Sequence, residues 1–220
     1  MNKKIYLLLI PTLLITKIIL AQVPVREEPR HHVVLQNEYI RLLDVWLPPG
    51  DTTMFHLHEI PSFFVVLSET KTESQVKGEN WVKAVSTPGY NWFNGFTTGP
   101  LIHRVCNTDS NSFHVMDIEI LSNTKDDNNK KPPQPFELLL ENEKLFAYKI
   151  NLVKGDKKQI VDRGPHVVIV VSGPGTNIQF SNNKEQDLSQ GKFIWIEPKE
   201  KFWLQNKGNN ETSLIVVELK

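Results

Sequence analysis

The chain has almost no cysteine: Cys106 is the one thiol in 220 residues. An internal disulfide is therefore excluded, and the fold must be held together by burial alone. Charge of one sign is not in excess either, with 25 Lys and Arg against 25 Asp and Glu. Without a basic stripe there is no electrostatic footprint for nucleic acid, which is excluded as a partner. Sustained 3.6-residue periodicity is also missing, so amphipathic helices have little place in the fold.

One apolar run is present, at the start. Met1-Asn2-Lys3-Lys4 is a short positive segment, and residues 5–20 are mostly apolar before Ala21-Gln22 offers a small residue for cleavage. This reads as a secretory signal over residues 1–21, with the mature protein periplasmic or secreted and not inserted in a membrane after cleavage. A permanent anchor is the competing reading, although Lys17 interrupts the run. No acceptor cysteine follows it, which disfavours a lipoprotein.

The rest of the chain alternates short β-branched and apolar runs with Gly, Pro and Asn clusters, an all-β signature. Pro48-Pro49-Gly50-Asp51 is a turn, residues 52–58 read as a strand, and residues 62–67 as a second, strongly apolar one. Residues 135–140 could form a brief helical turn. The polar, proline-bearing segment 123–136 reads as a connector between a first unit, 31–122, and a second, 137–220.

The two units look like copies. Asn37-Glu38 and Gly50-Asp51 recur as Asn142-Glu143 and Gly155-Asp156, and Phe63 to Ser68 is echoed by Val167 to Ser172 after a one-residue deletion. Asn107 matches Asn206, and Glu119 matches Glu218.

Chemistry gathers in the first unit. Strand side chains alternate faces, so His56 and His58 point to the same side, and His103 from a distant strand can complete a three-nitrogen cap on a metal ion. Three imidazoles leave two or three positions open for water, dioxygen or a chelating substrate, and leave the ion's charge uncompensated in favour of an anion. By parity Met54 shares the face of His56 and His58 and is expected in the pocket wall, together with Phe64 and Trp92. The loop from Asn94 to Gly99 is a candidate lid. Cys106 has the opposite parity to His103 and reads as a small buried apolar residue. His31 and His32, in a charged stretch, are expected to be solvated. His114 faces either the pocket or solvent.

Gly50, His56 and His58 in the pattern G-x5-H-x-H, and His103 with Asn107 as H-x3-N, resemble the two motifs of the cupin superfamily. Three departures stand out: Ser62 or Phe63 occupies the place of the motif's glutamate, Glu69 or Thr70 that of its closing glycine, and Gly99-Pro100 its lead-in to the third histidine. The resemblance implies two cupin-like barrels, that is double-stranded β-helices or jelly rolls, in one chain over residues 31–220. It also implies a three-histidine site for a divalent metal, with Fe, Mn, Ni, Cu and Zn not distinguished. Asp117 or Glu119 could supply the missing carboxylate, or pair with an arginine instead.

Across the internal match His56 falls on Val161, His58 on Arg163 and His103 on Phe202, so the second barrel is expected to have lost the metal. Arg163 there could bind an anion or lie on a surface turn. The function implied first is an oxygenase resembling the quercetinase-like cupins, acting on a small enolic or anionic chelating substrate. A uronate isomerase or lyase and a non-catalytic metal and ligand binder are the alternatives. A homodimer is a further expectation, since barrel edges can pair.

Overall fold

The structure, a computed structural model, describes residues 22–122, 134–160 and 164–220. The segment 1–21 expected to be a signal, most of the expected connector, and both Val161 and Arg163 lie outside these residues. Strands in the N-terminal part are β1 (Val23–Pro24), β2 (His31–Gln36), β3 (Ile40–Leu47), β4 (His56–His58), β5 (Ser62–Val66), β6 (Thr70–Val76), β7 (Val82–Ser86), β8 (Asn91–Asn94), β9 (Leu101–Asn107) and β10 (Phe113–Ile120). Those in the C-terminal part are β11 (Glu137–Glu141), β12 (Leu145–Leu152), β13 (Lys157–Ile160), β14 (His166–Ser172), β15 (Thr176–Phe180), β16 (Glu185–Leu188), β17 (Phe193–Ile196), β18 (Phe202–Gln205) and β19 (Thr212–Leu219). Among the described residues the helical content is one 3-10 turn, Val25–Glu27, and no helix is long and apolar enough to cross a membrane.

Sheet order explains where the core lies. The sheets β1-β4-β9-β6-β7 and β2-β3-β10-β5-β8 form the first barrel, and β11-β12-β19-β14-β17 with β13-β18-β15-β16 form the second. Strand β10 is buried along its whole length and shows why. Its even positions, Met116, Ile118 and Ile120, join Phe63 and Val65 of β5 and Val167, Ile169 and Val217 of the second barrel in one shared core. Its odd positions, Phe113 and Val115, turn into the first barrel against Leu43, Val45, Phe64 and Val66. Both faces of β5, β10 and β14 are thus covered, which is why these strands read as continuous apolar runs. Each fully buried Leu, Ile, Val or Phe contributes about 1.5–3 kcal/mol relative to exposure.

The internal repeat reappears as duplicated hydrogen bonds. The Asn107 side-chain amide donates to the Leu47 and Asn111 carbonyls, and Asn206 donates likewise to Leu152 and Asn210, at 2.7–2.8 Å. Gly50 N–H donates to the Asn107 carbonyl as Gly155 N–H does to Asn206, both at 3.0 Å.

Two expectations are corrected here. Residues 135–140 do not form a helical turn: Glu137–Glu141 is a strand pairing antiparallel with β12, because the open edge of β12 offers ladder hydrogen bonds and Leu139 and Leu140 pack on the shared core. The deletion in the repeat falls before the histidines, not after them. Thr52 bridges to Cys106 while His56 pairs with His103, so one extra residue is accommodated between Thr52 and His56. In the second barrel Ile160 pairs with Phe202, and the place of His56 is therefore taken by Ile160. Ile160 and Phe202 both sit in the apolar interior of that barrel.

Candidate metal centre

Four histidines converge inside the first barrel. His56 and His58 stand on β4, one residue apart and both buried, and β9 brings His103 directly opposite His56. Ring centroids of His56 and His103 are 4.6 Å apart, those of His58 and His103 5.1 Å, and those of His56 and His58 5.0 Å. The fourth is His31, from the first position of β2, whose ring lies 4.6 Å from that of His56. One nitrogen each from His31, His56 and His58 lie within 4.8 Å of one another, close enough to hold a metal ion.

The expectation that His31 is solvated is thus overturned, whereas His32, its neighbour of opposite parity, is exposed. His31 is buried with a near neighbour as its partner: Glu28, three residues before it, accepts its Nδ1–H at 2.7 Å, and Val25 is buried in the core of the first barrel. Strand parity alone could have separated His31 from His32, but nothing in the charged run indicated which of the two turned inward.

The cluster fits a metal ion on its own chemistry. His56 donates Nδ1–H to the Met54 carbonyl at 2.9 Å, and its Nε2 is buried with no hydrogen-bond partner. Nδ1 of His58 is likewise buried and unpaired, 3.6 Å from Asp117 Oδ2. Buried polar atoms are ordinarily satisfied, so unspent nitrogens on clustered imidazoles mark a place for an ion. Burial first, and then the neighbouring His31 and His103, press the His56 pKa down to about 3. Burial and His31 take His103 to about 4, and burial with His103 takes His58 lower still. All three rings are therefore neutral at pH 7 and present lone pairs, the form that a metal requires.

The cluster opens on a cavity of about 360 Å³. Phe64, Trp92, Leu101 and Val105 give it an apolar wall, with Thr72 and Ser74 across from them. Phe64 and Trp92 stack at 4.6 Å and 9°. Met54 does not line it. The extra residue before His56 breaks the alternation that would put Met54 on the face of His56 and His58, so Met54 is 48% exposed and only its backbone serves the site. From the loop after β8, Phe96 stacks on His58 at 5.8 Å and 14°, a cover on that ring.

Asp117 and Glu119 part company. Glu119 accepts from Arg41 Nη1 at 2.5 Å and is committed to that pair. Asp117 lines the cavity beside His58, and burial, reinforced by Glu119, raises its carboxyl well above the usual carboxylate range. His114 faces away from the cluster, giving Nε2 to Asp44 at 2.6 Å and stacking on Trp46. Cys106 is half-buried and does not line the cavity.

No protein-family model matches the chain, and no curated protein matches it in sequence. Solved structures do. AerE from Microcystis aeruginosa aligns over 88% of this chain and 98% of its own, at 15% identity and a TM-score of 0.58. Salicylate 1,2-dioxygenase from Pseudaminobacter salicylatoxidans aligns over 82% of this chain and 71% of its own, at 11% identity and 0.56. A cupin 2 conserved barrel domain protein from Leptotrichia buccalis covers 84% of this chain and 86% of its own, at 10% identity and 0.54. At such identities the likeness fixes the fold: this chain has the two-barrel cupin fold.

Proposed function

We propose that the first barrel holds a divalent metal ion on its histidine cluster and acts as an oxygenase on a small enolic or anionic substrate that chelates the ion. One observation carries this reading: neutral, unspent imidazole nitrogens face a cavity of about 360 Å³ walled by stacked aromatic rings. His56 and His58 would hold the ion, with His103 across the ladder and His31 in the nitrogen cluster as the further imidazoles available to it. When bound, the ion supplies Lewis acidity and, if redox-active, exchange of electrons with dioxygen.

The chain's own residues set the rest. An all-imidazole cluster adds no negative charge, which leaves the site cationic and selective for an anion. The parallel faces of Phe64 and Trp92 suit a flat substrate, and Phe96 over His58 helps to exclude water. Likeness in fold to a salicylate 1,2-dioxygenase supports the reading without choosing the substrate. The apolar, lysine-led stretch at residues 1–21 supports export of the mature protein.

Oxygen uptake with a panel of flavonols and β-diketones, abolished by His103→Ala, is the expected result. Silence across that panel in iron-, manganese- and nickel-loaded protein would overturn the oxygenase reading. A second reading gains from Asp117, a carboxyl in the cavity wall that burial raises well above the usual carboxylate range and that could move a proton in a sugar isomerase or lyase. Loss of absorbance from an unsaturated uronate, prevented by Asp117→Asn, is the outcome that favours it.

A further inference from the structure

Glu28 stands behind two of the clustered rings at once. Its side chain is fully buried. Oε2 accepts the His31 Nδ1–H at 2.7 Å and the Arg30 N–H at 2.7 Å. Oε1 accepts the Met54 N–H at 3.1 Å, and the carbonyl of that same Met54 accepts the His56 Nδ1–H at 2.9 Å. A single carboxylate therefore fixes His31 directly and His56 through one residue of backbone.

The consequence is chemical. An imidazole whose Nδ1 carries the proton has only Nε2 left to bind with, and a fixed ring cannot turn that nitrogen away. With Nδ1–H engaged in both rings, Nε2 is the nitrogen left to each, and His56 Nε2 is already buried without a partner. We infer that Glu28 is the positioning residue of the metal centre, and that through it His31 joins His56 and His58 as a metal ligand. The segment from Val23 to His31 is then part of the site: β1 lies parallel to β4, with Val23 opposite His56, and Val25 is buried in the barrel interior. Arg30, bound to Asp51 at 2.8 and 2.9 Å, ties the same segment to the Gly50 turn. Ser62 or Phe63 leaves the site without the glutamate expected at that place, and Glu28 serves the site from the end of the Val25–Glu27 turn, through the histidines.

This inference rests on the metal-binding reading above, and cobalt(II) titration of the full chain tests the two separately. Wild-type protein is expected to bind Co(II) with visible ligand-field bands. Glu28→Gln, which preserves size, is expected to weaken that binding about 10–100-fold and to move the bands. Asp44→Asn, which breaks a histidine–carboxylate pair remote from the cluster, is expected to leave both unchanged. If Glu28→Gln binds Co(II) as tightly as wild type with identical bands, the inference is overturned and the metal-binding reading stands; if wild type binds none, both fall. Should Glu28→Gln not fold, His31→Gln decides: a Cu(II) electron paramagnetic resonance spectrum with one fewer coupled nitrogen than wild type supports the role, and an unchanged spectrum overturns it.

Discussion

His103 lies directly across the β4–β9 ladder from His56, with the two ring centroids 4.6 Å apart. Rings so close and so buried cannot both become imidazolium, and as neutral rings they can offer lone pairs to one ion. Elemental analysis of wild-type protein is expected to find bound metal, and the double variant His56→Ala, His58→Ala is expected to have lost it. Equal metal in both would move the site elsewhere.

The same burial sets a pH dependence. In the unfolded chain histidine titrates near its ordinary value of about 6.5, whereas in the folded protein His103 and His56 are held at about 4 and about 3. Between these values the unfolded state binds more protons than the folded one, so stability rises with pH. Metal-free protein is expected to be most stable above about pH 6.5 and to lose stability as pH falls toward about 4. Melting curves at pH 7, 6 and 5 check this, and a melting temperature independent of pH would contradict it. The contribution of His56 and His103 to metal affinity, by contrast, should change little between pH 7 and 5.5, because these two rings shed no protons on binding there.

Phe63 and Phe64 are neighbours with separate duties. Phe63 is fully buried between the barrels and Phe64 faces the histidines. Phe63→Ala is expected to cost about 3–5 kcal/mol in chemical denaturation while leaving metal content per folded molecule unchanged. Phe64→Ala should cost less, because its ring borders an existing cavity, and should shift Trp92 fluorescence. Reversal of that order would show that the faces of β5 are misassigned.

Asn107 and Asn206 hold equivalent turns with equivalent bonds. Replacing either by alanine strands two carbonyls and is expected to cost about 1–3 kcal/mol. Only Asn107→Ala, at the end of the strand that carries His103, should also weaken metal binding. Isothermal titration with Co(II) on both variants separates the effects.

Much of this was readable in the chain, and the reasons for the rest are physical. His56, His58 and His103 come together because strand parity and the β4–β9 pairing obey the period of two that the sequence displays. His31 escaped because a histidine in a charged run is buried only when a distant group, here Met54 N–H, helps to satisfy its carboxylate partner. Met54 was misplaced by one extra residue before His56, which no alternation of side chains reveals. Residues 135–140 became a strand because a neighbouring edge recruited them, a tertiary effect that overrides local preference.

Strand β10 gives Met116 and Ile118 to the seam between the barrels and Asp117 to the cavity. A half-molecule ending near Ser122 would bare that whole seam to water, Phe63, Val65 and Leu67 included. The second barrel, stripped of histidines at the matching places, thus earns its keep as a lining: amputating it should yield an insoluble fragment, not a working half.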